Sequence, residues 1–173
     1  MEVDNVLSNI IAIIVAVFIM FGYPIVDNFQ RIDDISSVIV LSETTEFVDS
    51  VRALGYVTRE MYTEFNKQLG ATNNVYRIEM EHYHKRYDPV YDEQEVFQGT
   101  YEVNNQYIHN DDIVKKIVED GIYYFSQDDL FNVKVHNINK TMATKLQEML
   151  YKGNFKTERI IAHYGGMIRN ENN

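Results

Sequence analysis

The chain contains no cysteine. That excludes disulfides, thiolate zinc sites, iron–sulfur clusters and a cysteine nucleophile, and it is compatible with either side of a membrane. Positive charge is scarce as well: 16 Lys and Arg stand against 26 Asp and Glu, a formal net charge of −10. The acidic excess persists beyond residue 27, and no basic stripe or RNA- or DNA-binding motif occurs. Neither a nucleic-acid partner nor a polybasic grip on anionic lipid is therefore expected. Phosphate-binding glycine loops, a nucleophile elbow, an HExxH helix and a kinase-like residue set are all missing, as are internal repeats and low-complexity linkers. What remains is a chain of 173 residues, enough for one ordinary domain and an appendage.

The appendage is visible at once. "NVLSNIIAIIVAVFIMFGYPIV", residues 5–26, has no ionisable side chain except Tyr23, and "IIAIIVAVFIMF" is apolar without a break. As a helix, residues 6–26 extend about 31 Å, close to the roughly 30 Å hydrocarbon core of a bilayer. A surface helix of a globular protein would show a polar stripe, and a chain this short rarely encloses a helix apolar on every side. A cleaved secretory signal is the other rival. It calls for a basic start and a small-residue cleavage site, whereas "MEVD" has no Lys or Arg and the run exits through "GYPIVDNFQR". A retained membrane helix is the expectation. Arg31 and Arg52 are the nearest basic residues, so the positive-inside rule hardly orients it. Pro24 is expected to kink or end the helix near its exit.

After Pro24 a second helical pattern places Val40, Leu41, Thr44, Phe47, Val48, Val51 and Leu54 on one face, with Gly55 as its end. The β-branched "VIV" at residues 38–40 leaves a strand as the alternative. A helix capped by Thr58 and closed by Gly70 follows, with Met61, Tyr62, Phe65 and Leu69 buried. Residues 75–87 alternate as a strand ended by Asp88 and Pro89, with a short strand or loop around residues 96–103. Residues 111–121 read as a helix capped by Asn110 or Asp111, burying Ile113, Val114, Ile117 and Val118. "LFNVKVHNI" is a strand with Phe131, Val133 and Val135 inward and Asn132, Lys134 and His136 outward. A helix with Met142, Leu146, Met149 and Leu150 on its buried side and a last strand "ERIIAHYGGMI" complete the order. The expected fold is α+β: an anchor over residues 1–27, a membrane-proximal helix over 28–57, and a head over 58–169 with a small antiparallel or mixed sheet covered by helices on one face. Residues 170–173 are expected to fray.

Chemistry is thinly signalled. His82 and His84 share a strand face and can share a metal if His109, His136 or His163 joins them. They also continue the face of Ile78 and Met80, which makes them core-edge residues on the simpler account. "HYGG" suggests a bulge or strand end more than an anion site. "NKT" at residues 139–141 is a glycosylation sequon in form, with Asn139 equally suited to capping the next helix. Asp111–Asp112 and Asp128–Asp129 suit caps and turns better than an acid–base pair. The tyrosine-rich "YDPVYDEQEVFQGTYEVNNQY" suits sheet packing or a protein interface. No cofactor and no catalytic set is expected. For helix contacts in lipid, the small and polar Ser8, Asn9, Ala12 and Ala16 are the residues of choice.

The segment "MEVDNVLSNIIAIIVAVFIMFGYPIV", then "FVDSVRALGYVTREMY", and more loosely "FNVKVHNINKTMATKLQEML" with "IIAHYGGMI", resembles the TadE-like minor pseudopilins of bacterial tight-adherence pili. The resemblance implies a non-enzymatic subunit of a pilus-like or secretion assembly, inserted once in the cytoplasmic membrane with its head outside. Its partners would be lipid and other pilin-like subunits. It also implies that Glu2 or Asp4 neutralises a neighbouring subunit's amine inside an apolar helix bundle, with Pro24 shaping the same helix. The competing expectation is a membrane-tethered ligand- or metal-binding domain, or an enzyme, that uses the histidines.

Overall fold

The computed structural model describes residues 2–170, with side chains from residue 6 onward. The side chains of Glu2 and Asp4 lie outside the described residues, as do residues 171–173 of the tail expected to fray; Asn170, the first of that tail, donates its N–H to the Arg52 carbonyl at 3.1 Å. The chain is α+β, with one long apolar N-terminal helix and small antiparallel sheets.

α1, Glu2–Leu54, is a single helix of 53 residues, about 80 Å long at 1.5 Å per residue. It runs on through Pro24, so of the expected kink or end the end does not occur. The proline forfeits one backbone donor, but complete turns on both sides hold the helix. No described residue before Asp33 is buried. From there the buried positions Asp33, Ser36, Val40, Thr44, Phe47, Val48 and Val51 recur at helical spacing. Leu41, expected on that face, is exposed, and Leu54 is half-buried. Gly55 ends α1 at φ +77°, donating its N–H to the Val51 carbonyl at 2.8 Å.

β1 (Tyr56–Thr58) leads into α2 (Arg59–Gly70), where the Thr58 hydroxyl accepts from the Met61 N–H at 3.2 Å, the expected cap. β2 (Tyr76–Tyr91), β3 (Phe97–Ile108), α3 (Asn110–Asp120), β4 (Ile122–Tyr124), β5 (Leu130–Asn137), α4 (Met142–Tyr151) and β6 (Ile161–Met167) follow. Four strands form an antiparallel sheet in the order β3-β2-β5-β6, and β1 pairs with β4 apart from it. β2 continues past Asp88 and Pro89, against expectation. Beyond Tyr83 only β3 flanks it, and a proline is tolerated where one edge is open. The result is a two-stranded ribbon that extends from the sheet, and the aromatic stretch expected to be a short excursion is its second strand.

One face of the sheet carries the core. α1 lays Val48 and Val51 on it, and Phe47 stacks on Phe65 of α2 at 4.4 Å. α3 adds Ile113 and Ile117, while Val118, expected inside, is exposed. His109 occupies the N-cap position of α3 without a side-chain bond. Asn110, expected to cap, accepts the Met80 N–H at 3.0 Å instead. The opposite sheet face is mostly open, apart from the buried His136, with Glu79 and Lys134 paired across strands at 3.9 Å.

α4 turns most of its expected face outward: Ala143 and Thr144 are buried, Leu146 is half-buried, and Met142, Met149 and Leu150 are exposed. Its cap is Thr141, not Asn139, whose side chain instead accepts the Val75 N–H at 2.8 Å. Thr141 donates to the buried Asp33 carboxylate at 2.7 Å. Small residues let α4 lie close to α1 at this point, and the bulky ones turn outward.

The Gly165–Gly166 pair lies inside β6 and serves a close approach, not a strand end. A Cβ on Gly165 would stand 2.7 Å from the Phe131 carbonyl oxygen, and one on Gly166 would stand 2.7 Å from the Arg52 guanidinium. Arg52 crosses β6 here, donating to the Met167 carbonyl at 3.0 Å, while its own carbonyl accepts from Arg169 at 2.9 Å. Gly165→Ala is expected to cost about 1–3 kcal/mol, because backbone must shift. Gly166→Ala should cost less, since a side chain can swing away. Urea unfolding of the full chain in detergent micelles checks the ranking, and equal losses would contradict it.

Candidate functional site

Where β2 outruns β5, its backbone and side chains need new partners, and Asp129 supplies them. It sits one residue before β5, at the close of a turn in which its Oδ2 accepts the Ser126 N–H at 2.8 Å. Its Oδ1 accepts the Lys85 N–H at 3.1 Å, extending the strand pairing with a carboxylate. His82 and His84, two apart on β2, both turn to the same carboxylate, at 2.7 Å from His82 Nε2 and 2.9 Å from His84 Nδ1. On the far side of His82, Nδ1 meets the Tyr123 hydroxyl of β4 at 2.8 Å. The four residues line a cleft of about 440 Å³ together with Lys116, Asp120 and Ser126.

The electrostatics assign the protons. Burial is the largest influence on Asp129 and works to raise its pKa. The Ser126 N–H, the His82 imidazole and the Lys85 N–H outweigh it and hold the carboxyl below its usual range. An ionised carboxylate only accepts, so both imidazoles donate to it. Burial keeps His82 below its ordinary value against the pull of Asp129, leaving its Nδ1 as the acceptor for the Tyr123 hydroxyl. Burial, then Asp129 and Asp112, push the Tyr123 phenol up to about 12, so it keeps its proton. The chain Tyr123–His82–Asp129–His84 is thus a complete hydrogen-bonded network. His84, with 37% of its side chain exposed, is the member that meets solvent.

This set is also the group of metal-capable side chains found among the described residues, with one ligand atom from each of His82, His84 and Asp129 within 4.8 Å of one another. Two imidazoles and a carboxylate are a donor set suited to zinc or a similar divalent ion. The third donor differs from those expected. His109 and His163 are exposed elsewhere, and His136, expected outward, is buried on the other face of β5 with its Nδ1 unpartnered. Asp129 was assigned to a turn, which is correct for its backbone. Its role as a hub carried no signal beyond its place beside Asp128, because 45 residues separate it from His84.

The residues chosen for helix contact stand together elsewhere. Asn9, Ala12 and Ala16 recur at three and four along α1, Ser8 adjoins them, and all four are exposed. Pro24 lies farther along the same helix.

A base whose folded-state pKa is lowered contributes stability above its unfolded value and loses it as the unfolded chain takes up protons. For His82 that loss begins below about 6.5. Asp129 adds a second loss at lower pH, as pH falls through its depressed value. The urea midpoint of the full chain should therefore decline as pH falls from 7 to 5, and His82→Gln should flatten that slope. An unchanged slope in the variant would separate His82 from it.

Comparison with protein-family models, curated proteins and solved structures finds no match to this chain, so the roles of these residues rest on their own geometry.

Proposed function

We propose that the chain is a non-enzymatic, single-pass membrane subunit of a pilus-like or secretion assembly, acting through helix packing and head contacts. The observation that carries this reading is the division of α1. No residue of its most apolar 18-residue window is buried in the protein, whereas its second half is built into the head. Among the described residues it is the one helix long and apolar enough to cross a bilayer. A helix with so much bare apolar surface needs lipid or other helices around it.

On this reading the Asn9, Ala12 and Ala16 stripe is the helix contact, because small side chains let helices approach in lipid. Glu2 and Asp4, by resemblance to TadE-like subunits, supply the charge that pairs with a neighbour's amine. The head stands outside the cytoplasmic membrane. The β2–β3 ribbon is its contact arm, with Tyr91, Phe97 and Tyr101 in ring contact on an exposed surface. Cysteines placed at Ala12 and Ala16 are expected to form self or partner adducts when membranes are oxidised. If neither position crosslinks, the packing role loses its support.

A second reading, a metal-binding head, is favoured by the convergence of His82, His84 and Asp129 on one cleft. Binding through the nitrogens that now donate to Asp129 needs each neutral imidazole to carry its proton on the other ring nitrogen, and protonation to imidazolium competes with the ion, so affinity should fall at acid pH. Titration calorimetry of the detergent-solubilised chain with zinc chloride is the test. One ion per chain is expected, with at least tenfold weaker binding in His84→Ala, and equal binding in that variant would remove this reading.

A further inference from the structure

We propose that the C-terminal tip of α4, residues 149–151, is a second membrane contact, seated in the lipid headgroup layer that α1 crosses as it leaves the bilayer. This inference rests on the reading of α1 as a span. It concerns a different part of the chain, one that the sequence pattern assigned to the core.

The direction of α4 carries the argument. Its first turn is fixed at the height of Asp33, because the Thr141 hydroxyl both bonds that carboxylate at 2.7 Å and accepts the Thr144 N–H at 3.2 Å. Its last turn is fixed much lower. Gln147, Leu150 and Tyr151 share a groove of about 460 Å³ with residues of α1 that include Phe18, Ile19, Gly22 and Tyr23. α4 therefore runs back along α1 towards the apolar half. At 1.5 Å per residue, Gly22 lies about 6 Å and Phe18 about 12 Å below Val26, the last residue of the apolar run. A bilayer that covers α1 as far as Val26 must also reach the tip of α4.

The side chains at that tip suit such a place. Met149 and Tyr151 are each 70% exposed and Leu150 is 49% exposed, although all three are large and two are wholly apolar. Phe155 meets Tyr151 edge to face at 6.4 Å and extends the patch. Tyrosine, with an apolar ring and a polar tip, is at home at the headgroup level. Lys152 follows directly, and its long stem can lie along acyl chains while its ammonium reaches phosphate. The acids beside this surface are paired: Glu148, one residue before the tip, with Lys140 at 2.7 Å, and Asp27, above the apolar run of α1, with Arg31 at 2.9 Å. The groove thus joins Phe18, Ile19 and Tyr23 of α1 to Leu150 and Tyr151 of α4, with Asp27, Gln30 and Gln147 also lining it. Interfacial elements of this kind bury their apolar face roughly 5–10 Å into the headgroup and acyl boundary.

Because the chain has no cysteine, single cysteines report cleanly. Leu150→Cys, Tyr151→Cys, Phe18→Cys and Lys115→Cys variants of the full chain would carry an environment-sensitive nitrobenzoxadiazole label. Each would be reconstituted at low density in vesicles of phosphatidylcholine and phosphatidylglycerol, with doxyl-labelled lipid as quencher. Labels at 150 and 151 should be quenched at least half as strongly as at 18, and most by doxyl groups near the headgroup, while 115 stays unquenched. Strong quenching at 18 with 150 and 151 behaving like 115 would overturn the proposal and leave the span intact. Absence of quenching at 18 would overturn the span, and the proposal with it. A blue shift at 150 and 151 that grows with protein density but is insensitive to doxyl lipid would assign the patch to a neighbouring subunit instead.

Discussion

Everything in the head is arranged around one buried helix face, the stripe of α1 from Asp33 to Val51. The sheet alone has a single apolar face and the surrounding helices are only about three turns long, so none of these parts encloses a core by itself. Val48 and Val51 fill the space above β5 and β6, Phe47 reaches α2, and Asp33 receives α4. The approach is tight enough that β6 presents two glycines to its neighbours, one under Arg52 and one beside Asn132. The same helix that forms the core thus carries the apolar half away from the head. Whatever surrounds residues 6–26 is rigidly coupled to the domain, with no linker between them.

That coupling gives α4 its significance. A helix with small residues on one side and Met149, Leu150 and Tyr151 on the other has two possible ways to lie. The bond between Thr141 and Asp33 fixes its start, and Ala143 and Thr144 permit close contact with α1. The larger residues are left outside, beside the stretch of α1 that is itself bare. Exposure that would be a liability in a free head becomes consistent once both surfaces share one environment.

The Asp129 cluster follows from sheet geometry in the same way. β2 is twice as long as β5, 16 residues against 8, and an abrupt end to pairing would strand polar backbone at the edge of a core. A carboxylate at the turn before β5 satisfies Lys85 and orders both histidines. His82 is thereby buried in a fully bonded network, and His84 is held at the mouth of a cleft. Structural closure and metal capability are two properties of one arrangement, because imidazole and carboxylate serve as hydrogen-bond partners and as ligands alike.

Local pattern alone determined the apolar run, the buried positions from Val40 to Val51 apart from Leu41, the Thr58 cap, the Gly55 end of α1, the Gly121 end of α3 and the inward Phe131, Val133 and Val135 of β5. Each depends on residues within a turn or two of one another. It also placed His82 and His84 on one face. Only the tertiary structure decided which side of α4 is buried, that Asp129 joins the histidines, that β2 persists past Pro89, and why β6 carries two glycines. In these cases the deciding partner lies far away in sequence: Asp33 is 108 residues from Thr141, and Arg52 is 115 from Met167. Amphipathic pattern records how apolar a side is, but not which neighbour reaches it first. With α4, a small face that permits close packing won over a larger one that offered more apolar area.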